Sequence, residues 1–385
     1  MVRLSRRVRS GLSAAAVLAL VPAAVGLVGT STPAAAATDP VTRVFNSMND
    51  GQRVGQLFMA SLSSSSPVTA VDQLIIRNHV GSVILQGHWT SAAQVQRATR
   101  HLQSLTTQGN TANIRPYLAG DQEGGLVQPF KGTGFSTIPS AFEQGRHSPS
   151  WLQSNAATWA RQLRAAGINL NLAPVADTVP ASMQNTNAPI GALDRNFGNT
   201  TQGVSSHVTA FMHGMYASGH GVATVVKHFP GLGRVTENTD TSTKVVDSVT
   251  TSNDVDLQPF QAGIQANARM VMISLAYYNR IDRYQQAAFS HKIVTDILRK
   301  QLRFNHVVIS DSLGAASAST VKPGDRAIRF LQAGGDLMLQ TDDSVIRDMQ
   351  LAILAKMRTN AGFKSTVYAS VKRVLAAKEA NHLLP

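Results

Sequence analysis

The sequence predicts an α/β fold, a (β/α)₈ TIM-type barrel forming a single domain after a cleavable signal peptide. Eight short, mostly apolar runs recur along the chain, amphipathic helical segments separate them, and carboxylate-bearing polar stretches follow the runs. An open doubly wound sheet is the competing arrangement, but the glycine-rich GxGxxG turn that often follows its first strand is absent. No internal repeat or linker interrupts residues 50–385.

Residues 1–37 place Arg3, Arg6, Arg7 and Arg9 ahead of an Ala/Leu/Val-rich stretch, and Ala35, Ala36 and Ala37 supply a small-residue cleavage site before Thr38. This is the pattern of a secretory signal peptide, which leaves residues 38–385 as the barrel domain. The expected location is extracellular or associated with the cell envelope, without stable membrane insertion. Arg6 and Arg7 permit twin-arginine as well as general export. A retained anchor fits less well with Pro22, Pro33 and the small-residue end, and no later run approaches the roughly 18 apolar residues of a spanning helix.

The chain has no cysteine, which excludes disulfides, thiol catalysis and a cysteine-linked lipid. Its formal charge is +13, of which the four signal-peptide arginines supply four, leaving about +9. The excess is scattered, without basic runs interleaved with aromatics, so nucleic acid is not an expected partner. Anionic envelope polymers are.

In chain order, residues 38–53 read as a lead-in helix and Gly55–Ala60 as the first strand. A serine loop, Ser61–Ser66, and a helix at 68–78 follow. Val80–Leu85 is the second strand, Thr90–Thr106 a helix and Ile114–Ala119 the third strand. Helix 151–166 carries Leu152, Ala156, Trp159 and Leu163 on one face, with Ser150 as cap and Gly167 as stop. Ile168–Ala173 is the fourth strand, helix 202–218 ends at Gly219, and Val222–Val226 is the fifth. Helix 256–266 precedes Met270–Ser274, the sixth. Ser290 caps helix 291–302, whose Ile293, Val294, Ile297, Leu298 and Leu302 make an apolar stripe. Val307–Ser310 and Asp336–Leu339 are the seventh and eighth strands, and helices 322–333, 343–357 and 364–380 complete the count.

Barrel enzymes build their sites at the C-terminal ends of the strands. There the sequence puts Asp121 and Glu123 after the third strand, and Asp177, Asp194 and Arg195 after the fourth. Lys227, His228, Glu237 and Asp240 belong to the fifth, Asp311 to the seventh, and Asp342 and Asp343 to the eighth. Residues 224–242 read either as a strand feeding a catalytic loop or as a strand with a solvated acidic turn. Neither a GxSxG elbow, an HExxH zinc motif nor a phosphate-binding loop is present. Carboxylate chemistry remains, and glycoside hydrolysis by a carboxylate pair is its commonest form on this fold. A carboxylate-bound divalent metal is the rival use. Lys227 and Arg195 already supply positive charge there, so no metal or other cofactor is expected.

The motifs GDQEGGLVQPF (120–130), NLNLAPVAD (169–177), RNFG (195–198), VVKHFPGLG (225–233) and VISDSLG (308–314) occur in one order. In them the chain resembles glycoside hydrolase family 3, in particular its short, barrel-only bacterial β-N-acetylglucosaminidases, over roughly residues 45–380. The resemblance implies a retaining β-glycosidase working through a covalent glycosyl-aspartate. It implies Asp311 as nucleophile, Asp121, Arg195, Lys227 and His228 as sugar-binding residues, and Asp177 as a brace. A helix cap is the bland reading of Asp311, and a satisfied core histidine that of His228. Trp89 reads as a packed loop residue before a sugar-stacking one.

The departures concern the acid. Peptidoglycan-recycling members read KHFPGHG followed by D-S-H, an Asp–His general acid/base. Here Leu232 stands within GLG, and Asn238-Thr239-Asp240 replaces the dyad. Asp240 then becomes the expected acid/base, Asn238 a neighbouring brace, and Glu237 a reserve candidate. Leu126 and Pro129 replace two family arginines, one of which contacts the sugar. The expected substrate is a β-linked N-acetylhexosamine glycan of cell walls or the environment, peptidoglycan fragments among them. A non-hydrolytic glycan-binding protein on a degenerate glycosidase scaffold is the alternative. A glycosyl phosphorylase is disfavoured because an anionic Asp240 repels phosphate.

Overall fold

A computed structural model describes residues 39–217 and 221–385. The expected signal peptide and the helix stop Gly219 lie outside these residues. Eight parallel strands form the centre: β1 (Phe58–Ser63), β2 (Ser82–Gln86), β3 (Tyr117–Gly120), β4 (Leu170–Asn171), β5 (Ala223–Phe229), β6 (Met270–Ile273), β7 (Val307–Ser310) and β8 (Met338–Leu339). They neighbour one another in sequence order. β8 pairs with β1 through Phe58–Met338 and Met59–Leu339, and a bridge between Ile309 and Leu337 joins β7 to β8, closing the (β/α)₈ barrel.

The strands read as unbroken apolar runs because both of their faces are covered, one by the barrel interior and the other by helices. All seven residues of β5 are buried, Lys227 and His228 included. The helices bury single stripes, such as Leu152, Ala156, Trp159, Ala160 and Leu163 on Pro149–Ala165. That helix begins two residues earlier than expected. Proline favours the first helical position, so Pro149 opens the turn and Ser148, not Ser150, caps it by accepting from Trp151 N at 3.2 Å.

β1 is displaced toward its C-terminus. Asn49 and Gln52 form a reciprocal capping box that starts a helix, Asp50–Gly55, where the strand was expected to begin. The first half of the expected serine loop instead extends β1, with Ser61 and Ser63 in register with Ile84 and Gln86, while Ser64, Ser65 and Ser66 form the loop that was expected. Lys292–Gln301 is helical as expected but more widely wound: Leu302 N donates to Ile297 O, five residues back. Ser290 Oγ still accepts from Ile293 N at 3.3 Å.

Two small sheets were not expected. Trp89–Ser91 pairs with Phe130–Thr133, and Val246–Asp247, Tyr277–Tyr278 and Asp282–Gln286 form a three-stranded sheet. The second sheet steadies the turn after β5, since Tyr278 Oη donates to Gly231 O at 2.7 Å. Among the described residues, no helix is long and apolar enough to cross a membrane.

Candidate active site

A cavity of about 500 Å³ opens at the C-terminal ends of the strands. Asp121, Arg195, Lys227, His228, Asn238, Asp240 and Asp311 all line it. Asp177 does not; it lies behind His228, wholly buried. Glu237 is exposed and outside the cavity lining. Trp89 is 3% exposed and donates from its indole to Gln86 O; it is packed as expected, but at the head of a short strand rather than in a loop.

β3 ends at Gly120, where a side chain would strike the Phe130 ring, and the chain then turns through Asp121 and Glu123. Lys227, from the buried β5, places its ammonium 2.6 Å from Asp121 Oδ1 and 2.6 Å from Glu123 Oε1. Arg195 clasps Glu123 at two points, Nε to Oε2 at 2.9 Å and Nη2 to Oε1 at 2.8 Å, and its Nη1 donates to Pro189 O at 2.8 Å. Burial alone would raise the Glu123 pKa, but Arg195 and Lys227 outweigh it and hold the carboxyl at about 2. Burial works against the Lys227 ammonium, yet Asp121 and Glu123 raise its pKa above the usual value. Glu123 was visible in the sequence beside Asp121, but its role as the shared anion was not. Its signal was the spacing: two acids two residues apart, facing two cations from other strands.

Asp177 organises the turn after β5. Its Oδ2 accepts from His228 Nδ1 at 2.7 Å, and its Oδ1 from the backbone N of Leu232 at 2.8 Å and of His228 at 3.2 Å. That contact fixes the orientation of the His228 ring at the cavity wall. The glycines that follow are required by geometry. Gly231 has φ +130°, and a side chain at Gly233 would collide with the Thr178 carbonyl oxygen.

The β5 loop is then tied to the β7 loop. Asp240 N donates to Asn238 Oδ1 at 2.9 Å, so Asn238 shapes the turn that presents Asp240. Ala316 N donates to Asp240 O, and Ser317 Oγ is shared between the carbonyls of Thr239 and Ser242, each at 2.7 Å. Protein mass around the Asp240 carboxyl pushes its pKa above the ordinary carboxylate range, and the charge of Asp311 adds to that push. Arg195 and His228 pull it down, and Asp121 raises it again. Solvent also reaches this side chain, which screens part of the effect.

Asp311 follows β7, its backbone N bonded to Ile273 O at 2.9 Å. No helix starts there, which removes the helix-cap reading. Its Oδ1 accepts from Ser312 N at 2.8 Å, and Ser312 Oγ meets Thr341 Oγ1 at 2.7 Å. Gln86, Ser312 and Thr341 also line the cavity, and sequence reasoning did not single them out. Leu126 is 74% exposed.

Residues 51–377 match the Glycosyl hydrolase family 3 N terminal domain. The Beta-hexosaminidase of Stenotrophomonas maltophilia (strain R551-3) is 32% identical over 294 residues, covering 73% of this chain and 82% of the relative. That of Xylella fastidiosa (strain M23) is 33% identical over 290 residues, covering 73% and 81%. Among solved structures, a Beta-N-acetylhexosaminidase from Beutenbergia cavernae DSM 12333 is similar at a TM-score of 0.83 with 45% identity, over 86% of this chain and 99% of that one. Strand order and these matches agree: the chain belongs to glycosyl hydrolase family 3, whose N-terminal barrel domain it carries.

Proposed function

We propose that this chain is a secreted, retaining β-N-acetylhexosaminidase acting on β-linked N-acetylglucosamine in cell-wall or environmental glycans, peptidoglycan fragments included. The observation that carries the reading is the pair Asp311 and Asp240. They come from different strand ends into one cavity, and Asp240 is biased toward its protonated form. The names borne by the relatives support the substrate class.

A sugar entering the cavity meets the open carboxylate of Asp121 together with Arg195, Lys227 and His228, groups suited to directional, charge-assisted bonds with hydroxyls. Protonated Asp240 gives its proton to the glycosidic oxygen as that bond breaks, and an Asp311 carboxylate oxygen bonds to the anomeric carbon. Water then attacks the anomeric carbon with Asp240, now anionic, taking its proton, and the bond from that carbon to the Asp311 oxygen breaks. Asp311 leaves as carboxylate, and the anomeric configuration is retained.

Turnover of an aryl β-N-acetylglucosaminide by the wild type and its loss in Asp311→Asn test the reading. A wild-type protein that binds muropeptides saturably but hydrolyses no glycoside in a broad panel would instead support the glycan-binding alternative. Export is tested separately, by finding the chain outside the cell with an N-terminus at Thr38.

A further inference from the structure

Glu123 is buried beneath the cavity and lies outside its lining, its side chain 3% exposed. Its carboxylate nevertheless touches two cations that do line the cavity. Arg195 is anchored at all three guanidinium nitrogens, two on Glu123 and one on Pro189 O. Lys227 is held between Glu123 and Asp121. A planar fork fixed at three points cannot swing, and an ammonium between two carboxylates has little room to move. Asp121, Glu123, Lys227 and Arg195 therefore form a quartet of two anions and two cations with no net charge.

This balance bears on Asp240. The charged and titratable groups facing it are Asp311 from the β7 loop, Arg195 from the β4 loop, His228 from β5 and Asp121 from the β3 loop. Lys227 lies behind Asp121, and Asp177 behind His228. Among these groups Arg195 is the permanent cation, and Glu123 is its ion-pair partner.

Taking Asp240 as the acid/base, as proposed above, we infer that Glu123 is a positioning residue. It holds Arg195 and Lys227 in the orientation in which they meet the sugar, and its charge, together with that of Asp121, balances theirs so that no net positive charge faces Asp240. Without that charge, Arg195 stands uncompensated, and a net positive charge nearby favours the carboxylate form of Asp240.

The test is the pH profile of kcat/KM for the mature chain on a β-linked N-acetylglucosamine disaccharide, whose poor leaving group needs protonation. Loss of the acid's proton makes the alkaline limb. Glu123→Gln keeps the shape and removes the charge; KM rises about tenfold and the limb moves about one pH unit lower. Glu123→Asp keeps the charge but shortens the arm, so KM rises while the limb stays. The charge-balanced double variant Glu123→Gln/Arg195→Met returns the limb to its wild-type position and supplies a folded comparison if the single variant does not fold. In that case a raised KM in Glu123→Asp, with both limbs in place, supports the role, and an unchanged KM overturns it. If Glu123→Gln folds and lowers kcat/KM by one factor at every pH, Glu123 is only structural and the inference fails. An alkaline limb unmoved in Asp240→Asn would instead remove Asp240 as the acid, whatever Glu123 does to KM.

Discussion

Asp240 meets solvent, neighbouring carboxylates and basic groups, and the direction in which its carboxyl is pushed sets the form in which it enters the reaction. Surrounding protein and Asp311 both favour the protonated acid, the form that protonates a leaving oxygen. A raised pKa extends the protonated range upward, so kcat/KM on an unactivated glycoside should fall on an alkaline limb lying above the ordinary carboxylate range. Asp240→Ala should slow hydrolysis of the glycosyl-enzyme far more than its formation from an aryl glycoside. Azide, small and already anionic, should restore part of the rate and yield the β-glycosyl azide. Full activity in Asp240→Ala would give the role to another group. Asp240 as the candidate for this role was legible from its position in the loop. Its environment was not, because the neighbours that bias it come from four separate strand ends.

At the scale of elements, the loop after β5 works only if it is held against the loop after β7. Ser317 makes that tie, with Oγ shared by the carbonyls of Thr239 and Ser242 and its backbone N bonded to Thr239 O. Ser317→Ala should cost about 1–2 kcal/mol of stability, read by denaturant unfolding. It should lower kcat by about tenfold through displacement of Asp240. An unchanged kcat would show that the tie does not position the acid. Elements with strong local signals were legible. β7 has the bounds its apolar run indicates, and β5 starts one residue later than expected, at Ala223, and extends through Lys227 and His228 to Phe229. β8 is shorter because Asp336, at its expected start, is enclosed by Arg299, Arg373 and the backbone N of Val308. The three-stranded sheet was missed because Val246–Asp247 and Tyr277–Tyr278 are two-residue strands with no periodicity to read.

Across the whole molecule, the barrel end opposite the cavity is secured by an unusual residue. Lys378, near the end of helix Ala361–Ala380, is fully buried and donates to Gln56 Oε1 and Gly81 O, each at 2.7 Å, tying this helix to the entrances of β1 and β2. It has no carboxylate partner among these contacts, and burial pushes its pKa down to about 7. An unfolded lysine titrates near 10.4, so between about pH 7 and 10 the unfolded chain binds more protons than the folded one. Stability from this group must therefore rise with pH across that window, by at most about 1.4 kcal/mol per unit. Lys378→Met should flatten this part of the stability–pH curve relative to wild type. Parallel curves would mean that the lysine stays protonated in the fold. Nothing in the sequence separates Lys378 from the exposed lysines of the same helix, because its burial depends on how the last helix meets the first two strands.

The central claim, that Asp311 and Asp240 act together as a retaining pair, is tested most directly by trapping the intermediate. A 5-fluoro-β-N-acetylglucosaminyl fluoride should form the glycosyl-enzyme faster than water releases it, and intact-mass spectrometry followed by peptide mapping should place one added sugar on Asp311. The adduct should be absent from Asp311→Asn and long-lived in Asp240→Ala. Turnover of the reagent with no adduct, or an adduct on any other residue, would contradict the assignment.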